Sequence, residues 1–303
     1  MPGDLGEERR DIVDETIAAA AIRWFDANAR DLPWRHPDAG AWAILVSEVM
    51  LQQTPVTRVL PAYEAWLARW PTPAALAGDE PGEAIRMWGR LGYPRRALRL
   101  HECATAIAER HGGVVPDDLD PLLALPGVGA YTARAVAAFA YRQRQPVVDT
   151  NVRRFVARAV AGAADGGHTT RPADLTATAA LLPAEPALAA RASAAFMELG
   201  AVVCVARTPR CTMCPVADRC AWRAAGRPAQ GGPSRRTQTY TGTDRQVRGL
   251  LLAVLREAVE PVPRARLDVV WPEPIQRDRA LRGLIDDGLV DPLPGDVFAL
   301  PRG

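Results

Sequence analysis

The stretch Leu125-Pro-Gly-Val-Gly129 decides how this chain is read. On either side, residues 118–124 and 131–141 repeat apolar side chains at the three-and-four spacing of a helix. Two glycines in so short a connection allow a tight turn and a close backbone approach to another group. The second helix then opens with free N–H groups at the positive end of its dipole, where a phosphate can be received. Gly127, Val128 and Gly129 are therefore candidate anion contacts. A plain αα-hairpin can carry the same turn, so the stretch establishes a helix pair and leaves its ligand open.

Outward from this hairpin, residues 12–29, 41–53, 56–70, 94–111 and 187–202 show the same helical spacing, separated by Pro- and Gly-containing breaks. No stretch alternates over strand length, so the first two hundred residues read as all-α. A cysteine-bearing segment follows, and then a linker at 226–242 rich in Gly, Pro, Ser, Thr and Arg, expected to be exposed and mobile. Beyond it, residues 246–258, 264–270 and 275–286 read as helices, and 288–293 with 297–300 as a hairpin. The expected division is a helical domain at 1–225, a linker at 226–242 and a small winged-helix-like module at 243–303.

The 303 residues, 48% hydrophobic and 24% charged, suit a globular protein of one large or two smaller domains. No apolar run approaches the ~18–20 residues that cross a bilayer. The opening ten residues are acidic and polar, unlike a secretory signal, so a cytoplasmic or nucleoid protein is expected. All 37 basic residues are arginine, so no chemistry here can use a lysine amine. The net charge of +2 is uninformative, but nine Arg face two Asp between Cys204 and Arg248. Such a block suits a polyanion, or simply a solvated surface.

Cys204-x6-Cys211-x2-Cys214-x5-Cys220 places four soft ligands within seventeen residues. Such a set can hold tetrahedral zinc or a 4Fe–4S cluster. Structural zinc usually pairs two short Cys-x2-Cys steps, and the single short step here favours the cluster. Cys103, alone among alanines, reads as a core residue. Asp149 precedes an apolar-periodic stretch and could cap its helix. It also lies about one helix beyond Gly129, within reach of a strand held by the hairpin. Glu48 sits among Ile44, Leu45 and Leu51, where an unpaired carboxylate is costly. Desolvation would favour its protonated form and suit it to general acid work, unless it pairs with an arginine or faces solvent.

Five strings in order carry a resemblance. They are Leu32-Pro-Trp-Arg35, Ser47-Glu-Val-Met-Leu-Gln-Gln-Thr54, Trp88-Gly-Arg-Leu-Gly-Tyr93, Leu125-Pro-Gly-Val-Gly-Ala-Tyr-Thr132 and the four-cysteine loop. Over roughly residues 15–225 the chain resembles the helix-hairpin-helix DNA glycosylases with an iron–sulfur cluster, which include endonuclease III. Within them it is most similar to the MutY-type adenine glycosylases. The Ser47–Thr54 string is specific to that branch; the hairpin and cysteines are shared more widely.

The resemblance implies a two-lobed all-α fold and a 4Fe–4S cluster on Cys204, Cys211, Cys214 and Cys220. It implies Glu48 as the acid that protonates adenine and Asp149 as the group that stabilises the cationic sugar or traps it covalently before water completes the hydrolysis. Tyr131 and Asn151 would line the catalytic centre. Gln53 and Tyr93 would wedge into the duplex while the base is extruded, and Trp34 and Arg35 would edge the adenine pocket. The implied partner is double-stranded DNA with adenine opposite 8-oxoguanine or guanine, bound by a monomer with no membrane contact. A lysine after the hairpin makes relatives such as endonuclease III break the strand; Tyr131 stands there instead, so base release alone is expected. The chain departs from the pattern at Thr150, where many relatives have Gly, and at Pro94, where a second Tyr is expected. The family's Nudix-like reader of 8-oxoguanine has no counterpart in the 61 residues after Gly242, and no histidine follows His168. Two other readings stand beside this one: a thymine or uracil mismatch glycosylase on the same scaffold, and a non-enzymatic winged-helix regulator that senses redox state through the cluster.

Overall fold

The computed structural model describes residues 15–167, 169–229 and 240–302. In chain order the helices are α1 (Ile17–Asn28), α2 (Ala41–Leu51), α3 (Val56–Arg69), α4 (Pro73–Ala77), α5 (Pro81–Trp88), α6 (Arg95–Arg110), α7 (Leu119–Leu123) and α8 (Ala130–Phe139). They continue with α9 (Thr150–Ala159), α10 (Pro172–Leu181), α11 (Pro186–Val202) and α12 (Ala221–Ala224). The C-terminal part runs α13 (Asp244–Glu257), β1 (Val262–Pro263), α14 (Arg264–Asp268), α15 (Pro274–Asp286), β2 (Asp291–Leu293) and β3 (Val297–Ala299). Short 3₁₀ turns occupy Pro33–Arg35, Cys211–Met213 and Ala217–Arg219.

The sequence-based helices are found, trimmed by a few residues at their ends. Besides the one-turn α12, three were not anticipated: α4, α5 and α10. Each begins with proline at its first turn, where the missing N–H costs nothing, and proline in sequence reads more readily as a break. Residues 12–14 of the first expected helix and residues 230–239 of the expected linker lie outside the described residues.

Compactness divides the chain into two discontinuous units, residues 1–36 with 134–232 and residues 37–133 with 233–303. In the first, α1, α9 and α11 close on Phe25, Val152, Phe155, Phe196 and Leu199, with the Phe155 and Phe196 rings stacked at 5.3 Å. In the second, Trp66 packs edge-on against Trp70 at 4.6 Å and Trp88 at 5.7 Å. The Trp42 indole N–H donates to the carbonyl of Trp70 at 3.0 Å.

Residues 243–303, which the sequence sets apart as a module, share this second unit. Their three helices and the antiparallel sheet, in the order β1-β3-β2, form a winged-helix-like arrangement. The sequence signalled only the β2–β3 hairpin; β1, two residues long, was missed. Val247, Leu251, Leu255, Leu281, Leu284 and Phe298 form its core. It is fastened to α5. The Gly82 amide donates to the carbonyl of Pro301 at 2.8 Å, Arg256 Nε to that of Ile85 at 3.0 Å, and Arg86 to that of Ala258 at 3.0 Å.

Candidate active site

In α2, Trp42 and every residue from 44 to 50 are buried, as expected of a helix apolar on all faces. Glu48 is the acidic exception, 6% exposed. Past the helix end the chain turns through Gln53 at φ +55°, and α5 is followed by Tyr93 at φ +49°. Left-handed backbone at a non-glycine residue costs roughly 1–3 kcal/mol and gathers at functional sites. Both strained residues are exposed, Tyr93 at 47%.

Arg96 holds these two turns together, and the sequence reading missed it. Its Nη1 donates to the carbonyls of Val49, Met50 and Gln52 at 2.9, 3.1 and 2.7 Å. Its Nη2 donates to Thr54 Oγ1 and the Gly92 carbonyl, both at 3.0 Å. Burial pushes this guanidinium down to about 10. The one signal in sequence is an arginine on the inward side of an amphipathic helix.

At the hairpin, Leu125 and Val128 are buried, while Gly127 and Gly129 are exposed. Gly127 has φ +76°, and a Cβ there would stand 2.8 Å from the Cβ of Arg99. Nothing lies within 4 Å of a Cβ at Gly129, so its bareness leaves open space before the first turn of α8. Tyr131 is the second residue of α8 and half-buried.

Asp149 belongs to the first unit and uses both carboxylate oxygens. Oδ1 accepts the amide of Val152 at 2.7 Å, capping α9, and Oδ2 accepts Nδ2 of Asn151 at 2.7 Å. The cap and the candidate site residue are thus the same group. Burial pushes the Asp149 carboxyl above the ordinary range, against these hydrogen bonds, which favour its ionised form. Asn151 in turn accepts Arg154 Nη2 at 2.8 Å, and Arg154 also donates to the carbonyls of Gly200 at 2.6 Å and Cys204 at 2.7 Å. Gly200 has to be bare, because a Cβ would stand 2.5 Å from the Asn151 carbonyl oxygen.

Trp34 and Arg35 lie half-buried in the 3₁₀ turn 33–35. Arg35 Nη2 pairs with Glu198 at 2.8 Å, alongside Arg30 at 2.6 Å, and its guanidinium covers the Phe25 ring at 5.2 Å. The Glu198 side chain is wholly buried, and the two arginines hold it down to about 2 against its desolvation. Arg35 therefore anchors this turn to α11.

The four thiols line one pocket with Phe155, Arg158 and Trp222. Arg158 Nη1 reaches Cys204 Sγ at 3.5 Å, its carbonyl receives Cys220 Sγ at 3.5 Å, and its guanidinium covers Trp222 at 4.6 Å. Burial, with the other three sulfurs nearby, pushes Cys214 up to about 11. Mutual repulsion among would-be thiolates is what a cationic core relieves. Among the described residues no three His, Cys, Asp or Glu groups converge as a single-ion site would require. A pocket lined by four thiols offers the ligand set of an iron–sulfur cluster. Cys103 stands apart in the core, its thiol pushed up to about 12 by burial.

Residues 46–174 match the HhH-GPD superfamily of base excision DNA repair proteins, and residues 204–220 match the iron–sulfur binding domain of endonuclease III. The chain is 60% identical over 281 residues to the adenine DNA glycosylase of Mycobacterium tuberculosis (strain ATCC 25618 / H37Rv), covering 92% of each. Among solved structures it is similar to a thermostable thymine-DNA glycosylase, with a TM-score of 0.61 and 25% identity over 69% of this chain and 95% of that one. A trapped endonuclease III–DNA covalent intermediate has the same fold, with a TM-score of 0.57 and 21% identity over 69% and 94% of the two chains. Among the described residues no helix is long and apolar enough to cross a membrane.

Proposed function

The chain belongs to the adenine DNA glycosylases of the HhH-GPD superfamily, and we propose on that premise that it removes adenine paired with 8-oxoguanine or guanine. It is a base-excision-repair enzyme that hydrolyses an N-glycosidic bond and carries a 4Fe–4S cluster on its 204–220 loop. The observation that carries the choice of adenine is 60% identity over 92% of the chain to an adenine DNA glycosylase, against 35% over 68% of the chain to a thymine-DNA glycosylase.

In this reading Glu48, enclosed in an apolar helix, gives its proton to the departing adenine. The C1′–N bond breaks, its electron pair leaves with the base, and the positive charge stays on the sugar beside Asp149. Water then adds at C1′, and the proton it loses restores the acid form of Glu48. Asn151 orients the Asp149 carboxylate, and Tyr131 lines the centre. Gln53 and Tyr93 enter the duplex as the base leaves it, and the hairpin at Gly127, Val128 and Gly129 grips the backbone. Trp34 borders the adenine, and Arg35 fixes Trp34's turn. The cluster when bound holds the loop in shape, and the arginines around it face phosphates. The working form is a monomer associated with the nucleoid, its helical part at 1–225 joined through 226–242 to the module at 243–303.

Strand scission by this superfamily's lyases needs an amine nucleophile. The chain has no lysine, and arginine stays protonated. The product is an abasic strand that stays whole until treated with hot alkali. Excision from A:8-oxoguanine, A:G, T:G and U:G duplexes tests the reading. Adenine release from the first two is expected; preferential release of thymine or uracil overturns it.

A further inference from the structure

Arg245, the second residue of α13, has its guanidinium carbon 5.0 Å from the centroid of the Tyr93 ring and 6.0 Å from that of Tyr240. The backbone there is well anchored. Thr243 caps the helix, and Asp244 accepts Nε and Nη2 of Arg279, each at 2.7 Å, and Nε2 of Gln276 at 3.0 Å. The Arg245 side chain is exposed, as are both rings. Among the described residues it makes no ion pair and no hydrogen bond. Arg96, whose guanidinium lies 5.6 Å from the same Tyr93 ring, is the opposite case, its terminal nitrogens committed to carbonyls and Thr54. A guanidinium lying on aromatic faces keeps its N–H edge open and its plane fixed. Beside Tyr93 there is thus a fork of donors that no described residue uses.

We propose that Arg245 reads the base opposite the excised adenine, taking the acceptor-bearing edge of a purine as its ligand. The inference rests on the reading of Tyr93 as the residue that enters the duplex. Once adenine has left the stack, the base remaining at the wedge is its former partner. Guanine offers O6 and N7, the pair of acceptors an arginine fork matches, and 8-oxoguanine, whose N7 carries a proton, offers O6 and O8 as separate acceptors, whereas cytosine presents a donor in the same groove. The C-terminal residues 243–303 thereby take part in choosing the substrate.

Equilibrium binding tests this without depending on catalysis. The probes are duplexes with a tetrahydrofuran spacer in place of adenine, opposite 8-oxoguanine, guanine or cytosine, read by fluorescence anisotropy at one salt concentration. Arg245→Ala and Arg245→Lys are both expected to weaken Kd about tenfold or more for the two purine partners and less than about twofold for cytosine. Equal weakening on all three duplexes makes Arg245 a backbone contact and overturns the proposal. So does full recovery by Arg245→Lys, or no loss in either variant. Tyr93→Ala, measured in parallel, should weaken all three alike; unchanged binding there overturns the wedge reading separately.

Discussion

Asp149 caps a helix and is proposed to steady a cationic sugar as well. In sequence it was either a helix cap or a catalytic carboxylate, and the structure spends one oxygen on each neighbour, Val152 and Asn151. The ionised form is the one that stabilises a cationic sugar, so excision falls as pH drops through its pKa. Burial raises that pKa, so the acid limb of the rate profile should begin above the usual ~3.9 of an aspartate. Asn151→Ala removes a hydrogen bond that favours the ionised form and should move the limb to still higher pH. An unmoved limb in single-turnover rates would show that Asn151 does not tune the carboxylate. Glu198 works with the opposite sign. Its pKa is held down to about 2, so its contribution to stability is complete above the unfolded value and lost as pH falls toward 2. Glu198→Ala strands Arg30 and Arg35 and should cost roughly 3 kcal/mol. Its thermal midpoint should drop at neutral pH and fall less steeply than wild type below about pH 4.3. Equal slopes would contradict this. Neither partner of Glu198 could be read from sequence, because Arg30 and Arg35 meet it across more than 160 residues.

At the scale of elements, the long amphipathic helices and the hairpin were legible because their apolar spacing is local. Close approaches between helices were not. Gly200 is unremarkable in an alanine-rich helix, yet α11 meets α9 there with no room for a methyl group. Gly200→Ala should push back the start of α9, with Asp149 and Asn151 on it. Excision is expected to fall by about tenfold or more, as a displacement near 1 Å can do, while the far-ultraviolet circular dichroism of the helices persists. Wild-type rates in that variant would mean that α9 has slack. Gly127 differs, because the pattern Pro-Gly-x-Gly announced it. Its positive φ and the nearby Arg99 supply two separate reasons for glycine. The positive φ of Gln53 and Tyr93 left no mark in the sequence beyond the strings that contain them, and neither did the role of Arg96 in holding both turns.

For the whole molecule, sequence order suggested a helical domain followed by an appended module, whereas compactness groups the appended residues with the chain between 37 and 133. The fastening runs through Gly82, Arg86 and Arg256, none of which carries a pattern readable in isolation. Gly82→Ala would set a Cβ 2.7 Å from the Pro301 carbonyl and should loosen the C-terminal residues, seen as faster amide exchange in α13 to β3. The cysteine loop, by contrast, was plain in sequence, since four ligands at fixed steps need no tertiary partner to be recognised. Purified protein should contain about four irons per chain, and Cys211→Ser should lose them together with affinity for DNA; one zinc per chain would contradict the cluster. The most direct test of the central claim is single-turnover release of adenine from an A:8-oxoguanine duplex by wild type and Glu48→Gln, with DNA binding measured alongside. Glutamine keeps the shape of the side chain but has no proton to give, so the account predicts a loss of at least ~10²–10⁴-fold with binding intact. A variant that keeps more than about a tenth of the wild-type rate, far outside that range, would show that Glu48 is not the acid.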